Sequence, residues 1–290
     1  LRFLWHVILE VNHNYDLYFL KYFPGCFILK LIYPNKKFIF DVRTACVTDN
    51  ALIRYSLDKL LWFESKFFKN ITVISQSLSD KLGINKKRVH ILPLGADIIS
   101  GTKKHFNDIN LLYIGTLHNR RIQDTIIGFH QFYNQYKSQI KMNYEIIGSG
   151  NNNEENELKT LVQELCLEGI VHIRGYLSHD KAKAYFDRQN IGISYIPLTD
   201  YFNCQPPTKT YEYTLSGMVT MSTATLESGN IHNKNSGILI EDNPGAVFIG
   251  LVKLHQNLKS FDSDEIRNSY RQCLWQNIVQ ENLLPYLKSL

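Results

Sequence analysis

The sequence contains no run of 18 apolar residues. The apolar stretches near its start are broken by Glu10, Asp16, Lys21 and Lys30, which argues against a membrane-spanning helix. No basic start, apolar middle and small-residue cleavage site follow one another, so no secretory leader is read. Cysteine is scarce: Cys26, Cys46, Cys166, Cys204 and Cys273 are scattered, odd in number and without a C-x-x-C pair. That argues against a disulfide framework and a zinc site, and fits a reducing cytoplasm. No clustered carboxylate or histidine motif marks a site for a divalent metal. Internal repeats are absent, and the only biased patch is the asparagine loop at 151–153.

What is present is ordinary in bulk: 44% hydrophobic and 20% charged residues in 290, enough for a sizeable core in one large or two ordinary domains. The net charge of +5 is uneven. Residues 1–105 carry 16 Lys+Arg against 8 Asp+Glu, and the remainder carries 16 against 19. A basic front half suits anionic lipid headgroups or an acidic substrate, and equally a plain solvated surface.

Short β-branched and aromatic runs predict strands at 37–42, 71–75 and 89–93, with a helix over 50–69 whose apolar residues recur every three or four positions. Ser75 or Ser77 is positioned to cap a short helix ending at Gly83, and the polar segment 95–108 reads as a linker. Further on, strands are expected at 111–115, 143–148, 171–175, 192–197, 218–222 and 237–241, with helices at 124–137, 155–166, 180–189 and 208–215. This alternation implies βαβ units and a parallel, Rossmann-like sheet. The tail, 263–290, reads as one or two helices anchored by Trp275 and Tyr286. The sequence opens without Met in an apolar segment, 1–10, with no first strand ahead of it, so an N-terminal piece of the fold is expected to be missing.

In open parallel sheets ligands bind beyond the carboxyl ends of the strands. There this sequence sets Gly115-Thr116-Leu117-His118-Asn119-Arg120-Arg121 before one helix, and the polar loop 198–205 with Pro206-Pro207-Thr208-Lys209 before another. Proline suits a first helical turn. Cations at a helix N-terminus oppose its dipole by roughly 0.3–1 kcal/mol each. An external anion reverses that sign, so Arg120, Arg121 and Lys209 together suggest a diphosphate site. Taken singly, each is as readily a solvated cation. The loop Gly148-Ser149-Gly150 lacks the third glycine of a dinucleotide fingerprint, with Asn153 in its place. It is a tight turn that also allows a ligand to approach the backbone. Glu212, one turn into the helix that Lys209 opens, is positioned to accept two hydroxyls of a ribose; otherwise it is a helix-favouring acid near the positive dipole end.

The ordered set LLYIGTLHNRR, YEIIGSG, VHIRGYLSHDKAKAYF, GISYIPL, QPPTKTYEYTLSGM and SGILIEDNPGA resembles the donor half of the family 4 retaining glycosyltransferases. FIFDVRT, VISQSLSDKLG and VHILPLGAD resemble the last strands of that family's acceptor domain, so the resemblance covers about 15–290. It implies an α/β protein of the GT-B fold: two Rossmann-like domains facing a cleft, the N-terminal one incomplete. The expected division is 1–105 for a partial acceptor-side domain, 106–262 for the donor-binding domain, and 263–290 for helices crossing back.

The resemblance sets Arg121 at the family's phosphate-binding lysine and Thr116 where an arginine often stands, with Arg120 in compensation. Glu212 matches the second acid of the E-x7-E motif, and Gly175 and Tyr176 match the segment framing the base. The first acid falls at Cys204, with Asp200 the nearest acid upstream, and Arg43 stands in the region of the family's acceptor-domain histidine. Arg121 and Lys209 are thus the expected catalytic residues, stabilising the departing diphosphate without a metal or cofactor. Gly115, Thr116, Arg120, Gly148, Gly150, Gly175, Tyr176, Cys204, Pro207, Thr208 and Glu212 are the expected donor-binding set. The implied activity is retaining transfer of a hexosyl or N-acetylhexosaminyl group from a UDP- or GDP-sugar to a glycan or lipid-linked glycan in surface polysaccharide synthesis. The implied location is cytoplasmic, with peripheral contact to an anionic membrane and no nucleic-acid partner. Two other readings stand beside it: an inactive nucleotide-sugar-binding scaffold and a nucleotide-sugar epimerase of the same fold.

Overall fold

Parallel strands form in both halves of the chain wherever a short apolar run is bounded by turn residues. The computed structural model describes residues 2–13, 15–151 and 153–290. The first half contains α1 (Arg2–Val11), β1 (Tyr18–Lys21), α2 (Phe27–Ile32), β2 (Phe38–Val42), α3 (Ala51–Ser65), β3 (Asn70–Val73), α4 (Gln76–Leu82) and β4 (Val89–Ile91). Its strands make a parallel sheet in the order β1-β2-β3-β4. Every residue of β2 is buried, as an inner parallel strand requires.

Local chemistry sets several boundaries. Asn50 caps α3 by accepting from the backbone N–H groups of Leu52 and Ile53 at 3.0 and 3.1 Å. β3 stops at Val73 because Ser75 leaves the ladder to cap α4, accepting from Leu78 N at 3.2 Å. Gly83 then ends α4 in the left-handed conformation, φ +66°.

The second half contains β5 (Ile109–Ile114), α5 (Ile122–Tyr136), β6 (Met142–Ile147), α6 (Glu154–Glu164), β7 (Val171–Ile173), α7 (His179–Arg188) and β8 (Ile191–Ser194). There follow α8 (Asp200–Asn203), α9 (Thr208–Leu215), β9 (Val219–Thr223), α10 (Leu226–Ile231), β10 (Gly237–Ile240), α11 (Pro244–Asn257) and α12 (Ser263–Ser269). Six parallel strands run in the order β10-β9-β8-β5-β6-β7. The sequence pattern missed α1, β1, α2, α8, α10 and α11. The tail is more broken than one or two helices: beyond α12 come a π-helical turn, Ile278–Leu283, and a last helical turn, Leu284–Lys288.

Contacts divide the chain into two units. One is Leu1–Leu94 with Cys204–Pro206 and Gln280–Leu290, and the other is Gly95–Asn203 with Pro207–Val279. The linker read at 95–108 belongs wholly to the second unit. Within the first unit, Tyr286 stacks on His90 at 4.0 Å and the Asn282 side chain meets the His90 ring at 2.8 Å. Each unit has its own apolar core: Phe40, Leu61, Phe68 and Ile71 in the first, Ile126, Phe129, Tyr144 and Leu251 in the second. Among the described residues no helix is long and apolar enough to cross a membrane.

Candidate functional site

In the second unit the chain leaves β5 toward β6 on one side and leaves β8 toward β9 on the other. Loops diverge at such a reversal and open a crevice beyond the strand ends. A cavity of about 360 Å³ lies there, lined by Gly115 and Thr116 after β5, Gly148 and Ser149 after β6, Tyr176 and His179 after β7, and Lys209 on α9.

Backbone bonds hold its walls. Gly115 N donates to Ile147 O at 3.0 Å, Leu117 N to Ser149 O at 3.0 Å, and Gly148 N to Gly175 O at 2.9 Å. A Cβ on Gly148 would lie 1.8 Å from the Gly115 carbonyl oxygen, so glycine is required for this approach. Gly175 adopts φ +67°, again a conformation that side chains disfavour. On the opposite wall, Thr210 donates to Ser194 Oγ at 2.8 Å, and the Tyr213 phenol accepts from Ile114 N at 3.0 Å. Burial holds the Tyr213 phenol well above its usual range, so it stays neutral and fixes α9 against β5 and β8.

Lys209 stands in the first turn of α9 with its Nζ 2.6 Å from Glu212 Oε2. The sequence reading left this cation opposing the dipole; the structure compensates it from within its own helix. Pro207 is the N-cap of α9 and Thr208 its first residue, so proline precedes the first turn and is not part of it. Arg121 is likewise compensated. It holds the cap position of α5 with φ +54°, and its guanidinium bridges Asp124 at 2.8 Å and Asp242 at 3.3 Å. Asp124 also accepts from the Tyr195 phenol at 3.0 Å, and Asp242 from Leu198 N at 3.0 Å.

Arg120 differs. Its guanidinium carbon sits 4.2 Å over the Phe202 ring, and one of its terminal nitrogens is buried with no hydrogen-bond partner. Burial lowers its pKa.

The structure therefore brings Gly115, Thr116, Gly148, Tyr176 and Lys209 onto one cavity, with Glu212 joined through Lys209. Arg120 and Arg121 lie outside its lining. Gly150 sits under Glu154, whose carboxylate would be 2.3 Å from a Cβ there. Cys204 is buried with the core of the first unit, where its carbonyl accepts from Ser75 Oγ at 3.1 Å. Arg43 pairs with buried Asp41 at 2.7 Å and donates to Leu92 O at 3.1 Å.

Sequence reasoning missed His179 in the cavity wall, the His118–Glu154 pair at 2.6 Å, and the two carboxylates that hold Arg121. His118 lay in the loop already singled out. Asp124 is three residues from Arg121, the spacing of a helical ion pair, and that signal was present.

No family profile matches the sequence, and no curated protein matches it either. Solved structures do. Anabaena HepE, crystallised with UDP and glucose, is 13% identical with a TM-score of 0.77, covering 100% of this chain and 82% of its own. A glycosyltransferase from Rickettsia africae is 13% identical at a TM-score of 0.72, with 99% and 79% covered. Sucrose-phosphate synthase from Thermosynechococcus elongatus is 13% identical at 0.75, with 98% and 76% covered. The fold is therefore that of the GT-B glycosyltransferases, built from two Rossmann-like α/β units. Identities of this size speak to fold alone.

Proposed function

We propose that this chain is a retaining glycosyltransferase of the hexosyl or N-acetylhexosaminyl type. It moves sugar from a UDP- or GDP-sugar to a glycan or lipid-linked glycan acceptor, in surface polysaccharide synthesis. The observation that carries the reading is the cavity at the sheet's reversal point, with backbone loops on three sides and the Lys209–Glu212 pair at a helix N-terminus on the fourth. HepE, of the same fold, holds UDP and glucose in its crystal structure. The base and ribose enter between Tyr176 and Glu212, and the diphosphate faces Lys209 and the first turn of α9.

When the anomeric C–O bond breaks, its electron pair goes to the departing phosphate oxygen. Lys209, Arg120 and Arg121 offset that growing charge. Lys209, on the cavity wall, is the nearest of the three, and the two arginines act from outside the lining. The acceptor oxygen bonds to the anomeric carbon on the face from which the phosphate leaves and gives its proton to that phosphate, so the step needs no protein base.

Glu212→Ala tests the ribose role. Loss of hydrogen bonds made by a charged group weakens nucleotide binding by about 1.5–3 kcal/mol in calorimetry. Unchanged UDP and GDP affinities, in a parent that binds one of them, remove Glu212 from the site. Cys204, where the resemblance expects an acid, favours the scaffold as the second reading; it calls for nucleotide binding without turnover.

A further inference from the structure

Helix α3 offers a surface unrelated to the crevice. Its first turns project from the first unit with apolar side chains in solvent: Leu52 is 79% exposed, Tyr55 63% and Ile53 50%. An ordinary surface helix turns such residues inward. At 100° per residue, Leu52, Tyr55, Lys59, Trp62, Phe63 and Lys66 share one stripe along the helix. The stripe alternates aromatic and basic groups in direct contact. Lys59 Nζ lies 5.4 Å from the Tyr55 ring and 5.4 Å from the Trp62 ring, and Lys66 Nζ lies 3.5 Å from Trp62.

The acids of α3 avoid the stripe. Asp58 accepts from Cys46 N at 2.9 Å. Glu64 is buried and accepts from Gly25 N at 2.8 Å and from the Cys26 thiol at 3.1 Å. At the far end of the helix, Arg88 of the Lys86–Arg88 turn donates to the carbonyls of Ser65 and Phe68 at 3.1 and 3.0 Å, setting further basic residues beside Lys66. A neighbouring apolar element continues the surface: the Phe27 ring of α2 tilts against Phe67 at 5.1 Å, and one turn on from it Leu31 is exposed.

We infer that this face of α3 docks on an anionic phospholipid surface. The chemistry fits term by term. The apolar tip enters the acyl boundary, Tyr55 and Trp62 occupy the headgroup level where amphipathic rings settle, and Lys59 and Lys66 meet lipid phosphates. The front half's excess of 16 cationic over 8 anionic residues supplies the longer-range attraction. A second copy is the poorer occupant, since a two-fold contact through this stripe sets its lysines against their own images.

The test is co-sedimentation of the full chain with vesicles, without any nucleotide sugar, so that its outcome is separate from the proposed reaction. Binding is expected to phosphatidylglycerol–phosphatidylcholine vesicles and far less to pure phosphatidylcholine. It should be lost between about 0.01 M and about 1 M salt, where the screening length falls from ~30 to ~3 Å. Leu52→Glu combined with Ile53→Glu should weaken binding by about tenfold or more. Carboxylates in that first helical turn favour the helix, so the variant should fold, with an unchanged melting temperature as the check. Lys59→Gln combined with Lys66→Gln should weaken binding to the anionic vesicles alone. The inference is overturned if the parent stays in the supernatant at low salt, or if the Leu52/Ile53 variant sediments like the parent. It is equally overturned if sedimentation velocity finds a dimer that this variant dissociates, making the face a contact between copies.

Discussion

At the scale of single residues, Lys209 on the cavity and the two arginines outside its lining differ in what each is already bonded to. Lys209 answers to Glu212 and Arg121 to Asp124 and Asp242, while one buried nitrogen of Arg120 answers to none. In the proposed reaction the donor diphosphate competes for Lys209 with Glu212, and the competition sharpens as charge develops on the leaving group. The lysine's contribution should therefore be larger in the transition state than in donor binding. Lys209→Ala is expected to lower kcat by about 10²–10³ with a smaller rise in donor KM. Lys209→Arg should restore part of it, because a planar fork does not reproduce a compact ammonium charge. Steady-state kinetics at varied donor concentration checks this, and a wild-type kcat in Lys209→Ala would move the phosphate site elsewhere. The Lys209–Glu212 pairing carries a sequence signal, residues three apart on a helix, that the reading of each residue by itself passes over. The other arm of the Arg121 bridge carries none: Asp242 stands between β10 and α11, and the packing of α11 on α5 brings it there.

At the scale of elements, strands and helices with strong periodicity were readable, and those made by tertiary contact were not. β1 is four residues long and takes its register from pairing along β2. α11 contains Gly245, Gly250 and several β-branched residues, a composition that argues against a helix. It forms nonetheless, because Asn243 caps it by accepting from Ala246 N at 2.9 Å and because glycine lets it pack closely on α5. A Cβ on Gly128 of α5 would meet Pro244 O and the Val247 side chain, each at 2.5 Å.

The polar segment 95–108 looked like a loose linker, yet Lys104 fastens it. The Lys104 ammonium is buried against the last turn of α7, donating to the carbonyls of Phe186 and Asp187 and to Ser100 Oγ. Burial pushes its pKa down to about 8. An unfolded lysine holds its proton to about pH 10.4, so between the two values the unfolded state binds more protons and stability rises with pH. The slope is at most about 1.4 kcal/mol per pH unit. Denaturant unfolding of the parent minus that of Lys104→Met should show this rise from about pH 8 and a plateau above about pH 10.4. A difference that stays flat across the range would mean that the amine is not desolvated.

At the scale of the whole molecule, the six-stranded order explains why three loops distant in sequence meet: residues 115–116, 148–149 and 176–179 are assembled by one sheet around its reversal point. That alternation, and with it the α/β class, was visible as evenly spaced strands and helices. Cys204–Pro206 and Gln280–Leu290 join the first unit although they are far from it in the chain, and no local pattern announces that. The proposed function requires that the chain cleave a nucleotide sugar with retention at the anomeric carbon. The most direct measurement incubates the chain with a panel of UDP- and GDP-sugars and follows the products by NMR, with water or added glycan as acceptor. Release of UDP or GDP is expected from one donor class, the sugar emerging first in the anomeric configuration it had in the donor. Inversion at that carbon, isomerisation of the sugar without release of nucleotide, or no release from any donor would contradict it.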